Sequence, residues 1–272
     1  MSAVQTYTFD NSAAEAVDQL DSLERFLDPV TTLRIAELGL RAGARCWEIG
    51  AGGGSVARWL ATHVGAAGHV VATDINTDRL HHLTALPNVA VLEHDVTSLS
   101  GPGGDRPYDL IHARLVLLHL PQREQLLQRL VVRLAPGGWL LLEEFDCTKP
   151  LRVYASRSTV DAELFHRVTD AIVEILQDSG ADLAWAHAVH PAMRQAGLLD
   201  VHTVTHTQTW TGGGTGARLH AANSRQLAAR LDALGITPGE LDRFRAIVAD
   251  PGHTAASYEL VSTRGRRPHS VG

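Results

Sequence analysis

The sequence predicts an α/β fold: a mostly parallel, Rossmann-like sheet with an antiparallel last strand, a helical cap and insertions. Three observations carry this expectation. Between residues 45 and 145, five short apolar runs are mostly separated by helix-like segments, and unbroken apolar character is what strands covered on both faces require. The first run enters a turn of alternate glycines, Gly50, Gly52 and Gly54, and a helix-like run from Ser55 to Val64 follows at once. The second run ends on an acid, Asp74, about 20 residues after the last glycine, where such sheets hold ribose hydroxyls.

Each element follows in chain order. Residues 13–40 read as a helical segment. The five strands are expected at 45–50, 69–74, 90–95, 108–113 and 138–145. A helix over 122–134 stops at Pro136-Gly137-Gly138, since proline and glycine cannot continue it. Beyond residue 145 the alternation breaks. Residues 158–178 and 183–196 look helical, and 158–178 carries an apolar stripe at Val160, Leu164, Val168, Ile172 and Ile175. Residues 200–210 alternate as a single strand would. After the loop Gly212-Gly213-Gly214 come helices at 217–234 and 238–249 and a last strand at 254–262.

The glycine turn has chemical content. Glycine permits positive φ and lets a ligand lie against the main chain. A dinucleotide site wants G-x-G-x-x-G, but the sixth position here is Ser55. Glu48, two residues before the first glycine, would be a poor neighbour for a pyrophosphate. The pattern Glu48-x-Gly50-x-Gly52-x-Gly54 resembles motif I of class I S-adenosylmethionine (SAM)-dependent methyltransferases. The resemblance spans roughly residues 40–210. It implies that Glu48 helps to position the methionine end of SAM, that Asp74 holds the ribose and that Ile75 packs on adenine. It implies that Asp95, followed by Val96, accepts from the adenine amine, and that His112 and Arg114 lie beside the methionine part. It also implies that an N-terminal segment bearing Tyr7 covers the cofactor.

Composition bounds the rest. The chain has 272 residues, 44% of them hydrophobic, enough for one large α/β core. A formal net charge of -6 does not indicate a nucleic-acid or anionic-membrane partner. Lys149 is the one lysine, so an anion site must use arginine, histidine or backbone N–H groups. Cys46 and Cys147 read as reduced thiols at strand ends, which fits a cytoplasmic protein. The first residues lack a signal segment, and no apolar run approaches membrane-spanning length. None of the fifteen histidines has the partners of a typical zinc cluster. Metal ligands are left unassigned, and self-association is left open.

Four regions are expected: a helical lid (1–40), a SAM-binding core (41–147), a helical substrate cap (148–198), and terminal strands with inserted helices (199–272). Within the family the chain resembles prenyl diphosphate C-methyltransferases, in particular those that methylate geranyl diphosphate at its distal double bond. The resemblance rests on Tyr7-Thr-Phe-Asp-Asn11 and on His112-Ala-Arg-Leu-Val-Leu-Leu-His-Leu-Pro121. It implies Mg²⁺ and arginines such as Arg152 and Arg157 on the diphosphate. Tyr154, Phe165 and Trp210 then line the substrate site, with the aromatic faces stabilising a carbocation. Asp170 is the expected proton acceptor, with His166 beside it and Glu174 in reserve. That subgroup is expected to use glutamate, so Asp170 is one methylene short. Two alternatives stand: an O- or N-methyltransferase of another secondary metabolite, and a cofactor-binding or NAD-dependent protein that does not methylate.

Overall fold

A computed structural model describes residues 15–98, 101, 102, 104 and 106–269. Tyr7 and its neighbours lie outside the described residues. The chain divides into two units. One comprises residues 28–145, 184–206 and 260–272; the other comprises residues 1–27, 146–183 and 207–259.

The chain enters through α1 (Glu15–Ala36). The first unit then builds β1 (Arg45–Ile49), α2 (Ser55–Val64), β2 (His69–Asp74), β3 (Val89–Glu93), β4 (Tyr108–Arg114), α3 (Arg123–Arg133) and β5 (Leu134–Asp146). A 3-10 helix at Asp78–Ala85, not expected from the sequence, connects β2 to β3. β3 ends two residues earlier than expected, so Asp95 lies past the strand. β5 begins directly after α3, and Pro136-Gly137-Gly138 loops out of the ladder. Tyr108 of β4 pairs with Leu134, but Leu110 pairs with Trp139.

In the other unit come β6 (Val153–Ala155) and α4 (Thr159–Asp178). The Ser158 hydroxyl caps α4 by accepting from the Asp161 N–H. The chain returns to the first unit for α5 (Trp185–Gln195) and β7 (Leu199–His206). It then forms β8 (Thr209–Thr211), α6 (Thr215–Gln226), α7 (Ala228–Ala233), α8 (Pro238–Ala249) and β9 (Thr254–Ala256). Finally β10 (Glu259–Arg266) completes the first unit.

Seven strands form the large sheet in the order β3-β2-β1-β4-β5-β10-β7. The pairs β1·β2, β2·β3, β1·β4 and β4·β5 are parallel, and β10 runs antiparallel to β7. This is the expected fold class. Its core packs α2 (Val56, Leu60, Val64) against Cys46, Val70, Ala72 and Leu110. Both cysteines are buried free thiols. A separate sheet of three short strands has the order β6-β9-β8.

Three expectations are corrected. The strand expected at 200–210 is two strands in different sheets, β7 and β8. The strand expected at 254–262 divides likewise into β9 and β10. The two breaks face each other: the N–H of Ser257 donates to the Gln208 carbonyl (2.8 Å), and the N–H of Gln208 to the Ser257 hydroxyl (3.1 Å). The helix expected at 217–234 breaks at buried Leu227 into α6 and α7.

Candidate active site

The glycine turn between β1 and α2 sits at the carboxyl edge of the large sheet. Gly50 has φ +65°, and a Cβ there would lie 2.4 Å from Val116 Cγ2. Gly54 caps α2 in the left-handed conformation, φ 86°. Asp74, at the end of β2, is buried and closes the turn from behind. Its Oδ2 accepts from the N–H of Gly52 (2.9 Å) and its Oδ1 from that of Asn76 (3.1 Å). Burial pushes its pKa up, and the N–H groups of Gly52, Asn76 and Ile75 work against that rise. Each carboxylate oxygen has a further lone pair for a ligand. Ile75 follows with 57% of its surface exposed, an apolar side chain available to an adenine face. These features fit the adenosyl part of SAM: a side-chain-free turn, an acid with spare acceptor capacity and an exposed apolar neighbour.

Asp95 is exposed and accepts from the N–H (2.8 Å) and hydroxyl (2.7 Å) of Thr97, while Val96 beside it is half-buried. Asp95 therefore also braces its own turn.

Beneath the turn, Glu48 and His112 meet in a buried network. Glu48 Oε2 lies 2.7 Å from His112 Nδ1, and His112 Nε2 lies 3.3 Å from Glu143 Oε2. Burial lowers the imidazole pKa, but the charge of Glu48 and the hydrogen bonds of both carboxylates outweigh it and raise it to about 9. The two carboxylates thus favour the protonated imidazole, which can donate from both nitrogens. Glu143 also accepts from the hydroxyls of Thr31 and Ser262, each at 2.5 Å. Burial pushes its pKa up, but the bonds and charge of His112 and these two hydroxyls bring it below the ordinary value. Arg114 donates to Thr31 (2.9 Å) and pairs with Asp28 (3.0 Å). Sequence patterning singled out Glu48, His112 and Arg114 but not Thr31, Glu143 or Ser262. The only available signal for Glu143 was a pair of acids inside an otherwise apolar strand.

The next residue, Glu144, is also buried. Its Oε1 accepts from the N–H groups of Leu117 (2.9 Å) and Leu118 (3.3 Å). Burial raises its pKa to about 8 despite those donors. Just past β4, Leu115 adopts φ 57°, a rare conformation for a bulky residue and one that clusters at functional sites.

The other unit carries the residues expected at the substrate. Phe165 and Trp210 are buried, at 1% and 5% exposure. Trp210 stands on β8 and not at the end of a long sixth strand; it meets Phe26 edge-on, with centroids 4.8 Å apart. His166 Nε2 donates to the Leu151 carbonyl (2.9 Å) instead of pairing with Asp170. Asp170 and Glu174 are both exposed on α4, as are Arg152 and Tyr154 nearby. Arg157 is ion-paired with Asp250. Among the described residues, no group of three His, Cys, Asp or Glu side chains is placed to hold a metal ion. No described helix is long and apolar enough to cross a membrane.

Part of this chain is similar to known methyltransferases. Residues 47–140 match a family model described as a methyltransferase domain. The chain is 33% identical over 128 residues to "Methyltransferase str2" of Strobilurus tenacellus, covering 47% of this chain and 45% of that protein. It is 32% identical over 127 residues to the ubiquinone/menaquinone biosynthesis C-methyltransferase UbiE of Pseudomonas savastanoi, covering 44% of this chain and 48% of that one. The chain thus spans about half the length of the curated relatives it matches. Among solved structures it is similar to Haemonchus contortus phosphoethanolamine N-methyltransferase 2 in complex with SAM. That likeness has a TM-score of 0.57 at 14% identity and covers 97% of this chain and 60% of the other. Residues 47–140 thus carry the match to a methyltransferase domain, and the sheet order is that of a Rossmann-like methyltransferase fold.

Proposed function

We propose that the chain transfers a methyl group from SAM to a small molecule. The observation that carries this reading is the glycine turn closed by Asp74, with the Glu48–His112 pair at its base. SAM supplies a methyl group on a sulfonium, which a nucleophile displaces in line. Positioning accounts for much of such a reaction. In this reading Asp74 accepts from the ribose hydroxyls, Ile75 covers adenine, and Asp95 with Val96 borders it. Glu48, held by His112, faces the methionine end. Arg114 braces this region through Thr31 and Asp28.

For the acceptor, the resemblance points to geranyl diphosphate and C-methylation at its distal double bond. The buried rings of Phe165 and Trp210 support a hydrocarbon-binding surface that could stabilise a cation. Arg152, Tyr154 and Arg157 border the same segment. Arg157 would exchange the carboxylate of Asp250 for a diphosphate oxygen. Exposed carboxylates at Asp170 and Glu174 are the candidate proton acceptors, with His166 anchoring that turn of α4 to Leu151. Mg²⁺ belongs to this reading through its diphosphate substrate. A second reading, methylation of a hydroxyl-bearing acceptor, is favoured by a buried pair of imidazoles, His220 and His253.

Direct titration with SAM and with NAD tests the first step, and SAM alone is expected to bind. Labelled SAM, offered with prenyl diphosphates and with phenols, with and without Mg²⁺, then separates the acceptors. Methylation of geranyl diphosphate supports the first reading; methylation of phenols alone supports the second. NAD binding without SAM binding overturns both.

A further inference from the structure

In the unit that contains α4, six rings gather: Phe165, Trp210, His220, Phe244, His253 and Tyr258. The Phe165 centroid is 5.4 Å from that of His220, edge-on, and 4.7 Å from that of His253. Trp210 lies 5.2 Å from His220. His220 is 2% exposed and His253 is 3% exposed. Neither ring nitrogen of either imidazole has a hydrogen-bond partner, and the indole Nε1 of Trp210 has none. In the other unit His112 is equally buried, yet both of its nitrogens are bonded. Five buried, unpartnered ring nitrogens in one aromatic cluster are a cost that folding alone does not explain.

We propose that His220, His253 and Trp210 form a recognition site for an uncharged oxygen, a hydroxyl or carbonyl group, on an aromatic or otherwise unsaturated methyl acceptor. Three arguments converge. A neutral imidazole offers one N–H and one lone pair, and the indole adds an N–H. A hydroxyl, which both donates and accepts, matches that set. Second, burial holds the His220 pKa down at about 3, with His253 adding to the effect, and burial also lowers that of His253. Two neutral rings give a buried diphosphate or carboxylate no compensating charge, and a bare hydrocarbon tail would leave the nitrogens unpaired. Third, the surrounding rings suit a flat ligand, which gains from edge-on and stacked contacts.

The inference deepens the second reading, a hydroxyl-bearing acceptor, against the geranyl diphosphate one, and rests on the methyltransferase reading only in naming the ligand as the methyl acceptor. Its test uses p-cresol and toluene, which differ by one hydroxyl, titrated into the full chain with S-adenosylhomocysteine present. Wild type should bind p-cresol at least tenfold more tightly than toluene. The double variant His220→Leu/His253→Leu should lose that preference and keep its S-adenosylhomocysteine affinity. Without ligand it should melt above wild type, because the orphaned nitrogens are gone; imidazoles that merely support the fold would give a lower melting temperature. Equal binding of the two probes to wild type, or a preference that survives in the variant, overturns the proposal. If the double variant does not fold, His220→Phe and His253→Phe, which keep a ring but remove both nitrogens, singly carry the same comparison, with a lost preference supporting the site and a kept one overturning it. Failure of wild type to bind S-adenosylhomocysteine would overturn the cofactor reading, while the cresol comparison would still decide this site.

Discussion

At Asp74 two tasks meet in one carboxylate: it closes the glycine turn through Gly52, and in the proposed reading it accepts from the ribose. Asp74→Ala removes charge-assisted hydrogen bonds of about 1.5–3 kcal/mol. SAM affinity, measured by calorimetry, is expected to fall roughly tenfold or more. An unchanged affinity would remove Asp74 from the ribose site. Asp170 carries the geranyl diphosphate reading in the same way. Asp170→Asn keeps the shape but removes the base, so SAM binding should persist while turnover drops about a hundredfold or more. Asp170→Glu should keep activity. Near-normal turnover by the Asn variant would shift the role to Glu174. The residues that could be read in the sequence are those whose meaning is local: Gly50, Gly52, Gly54 and Glu48 share one short motif. Glu143 could not be read so, because its partners Thr31 and Ser262 are 112 and 119 positions away. Nor could His220, whose significance is the company it keeps in the fold.

At the scale of elements, β1, its glycine turn and α2 work as one device. Gly50→Ala places a methyl group against Val116 and forces an L-residue into positive φ. The left-handed conformation alone costs about 1–2 kcal/mol. The variant should melt several degrees lower and bind SAM more weakly. Adding Val116→Ala should recover the part due to the clash but not the part due to φ. Thermal melts of the single and double variants separate the two. An unaltered melting temperature in Gly50→Ala would mean that the turn tolerates a side chain. The regular α/β elements were legible because their apolar runs and turn residues agree. The division of 200–210 and of 254–262 was not, because neither stretch carries a proline or glycine to mark its break. At the two breaks Gln208 and Ser257, distant in sequence, exchange a pair of hydrogen bonds that no local pattern announces.

For the molecule as a whole, buried titrating groups set the pH window of stability. His112 is stabilised as a cation: its contribution is complete below its ordinary value of 6.5 and is lost as pH rises through about 9. Glu144 acts in the same direction. Its raised pKa means that the folded chain holds a proton that the unfolded chain releases, so stability falls as pH climbs from 4.5 to about 8. His220 is held neutral, so the unfolded chain gains protons first as pH drops from 6.5 towards about 3, and stability falls there too. Lowered Glu143 adds to the acid loss. Melting temperature should therefore peak on the acid side of neutrality, below the ordinary imidazole value of 6.5, and decline on both sides. His112→Gln should flatten the alkaline limb and His220→Leu the acid limb. Parallel profiles for wild type and both variants would rule out these groups as the cause.

The place of β10 in the large sheet governs the order of assembly. β10 lies between β5 and β7, yet it comes after both of them in chain order. Until it arrives, β7 has no neighbour in that sheet and β5 has one bare edge. Unpaired strand edges recruit other chains, and pairing between distant segments is slow. A nascent chain halted before Glu259 is thus expected to be prone to aggregation and dependent on chaperones. Native structure in the sheet's second half should appear only once β10 has been made.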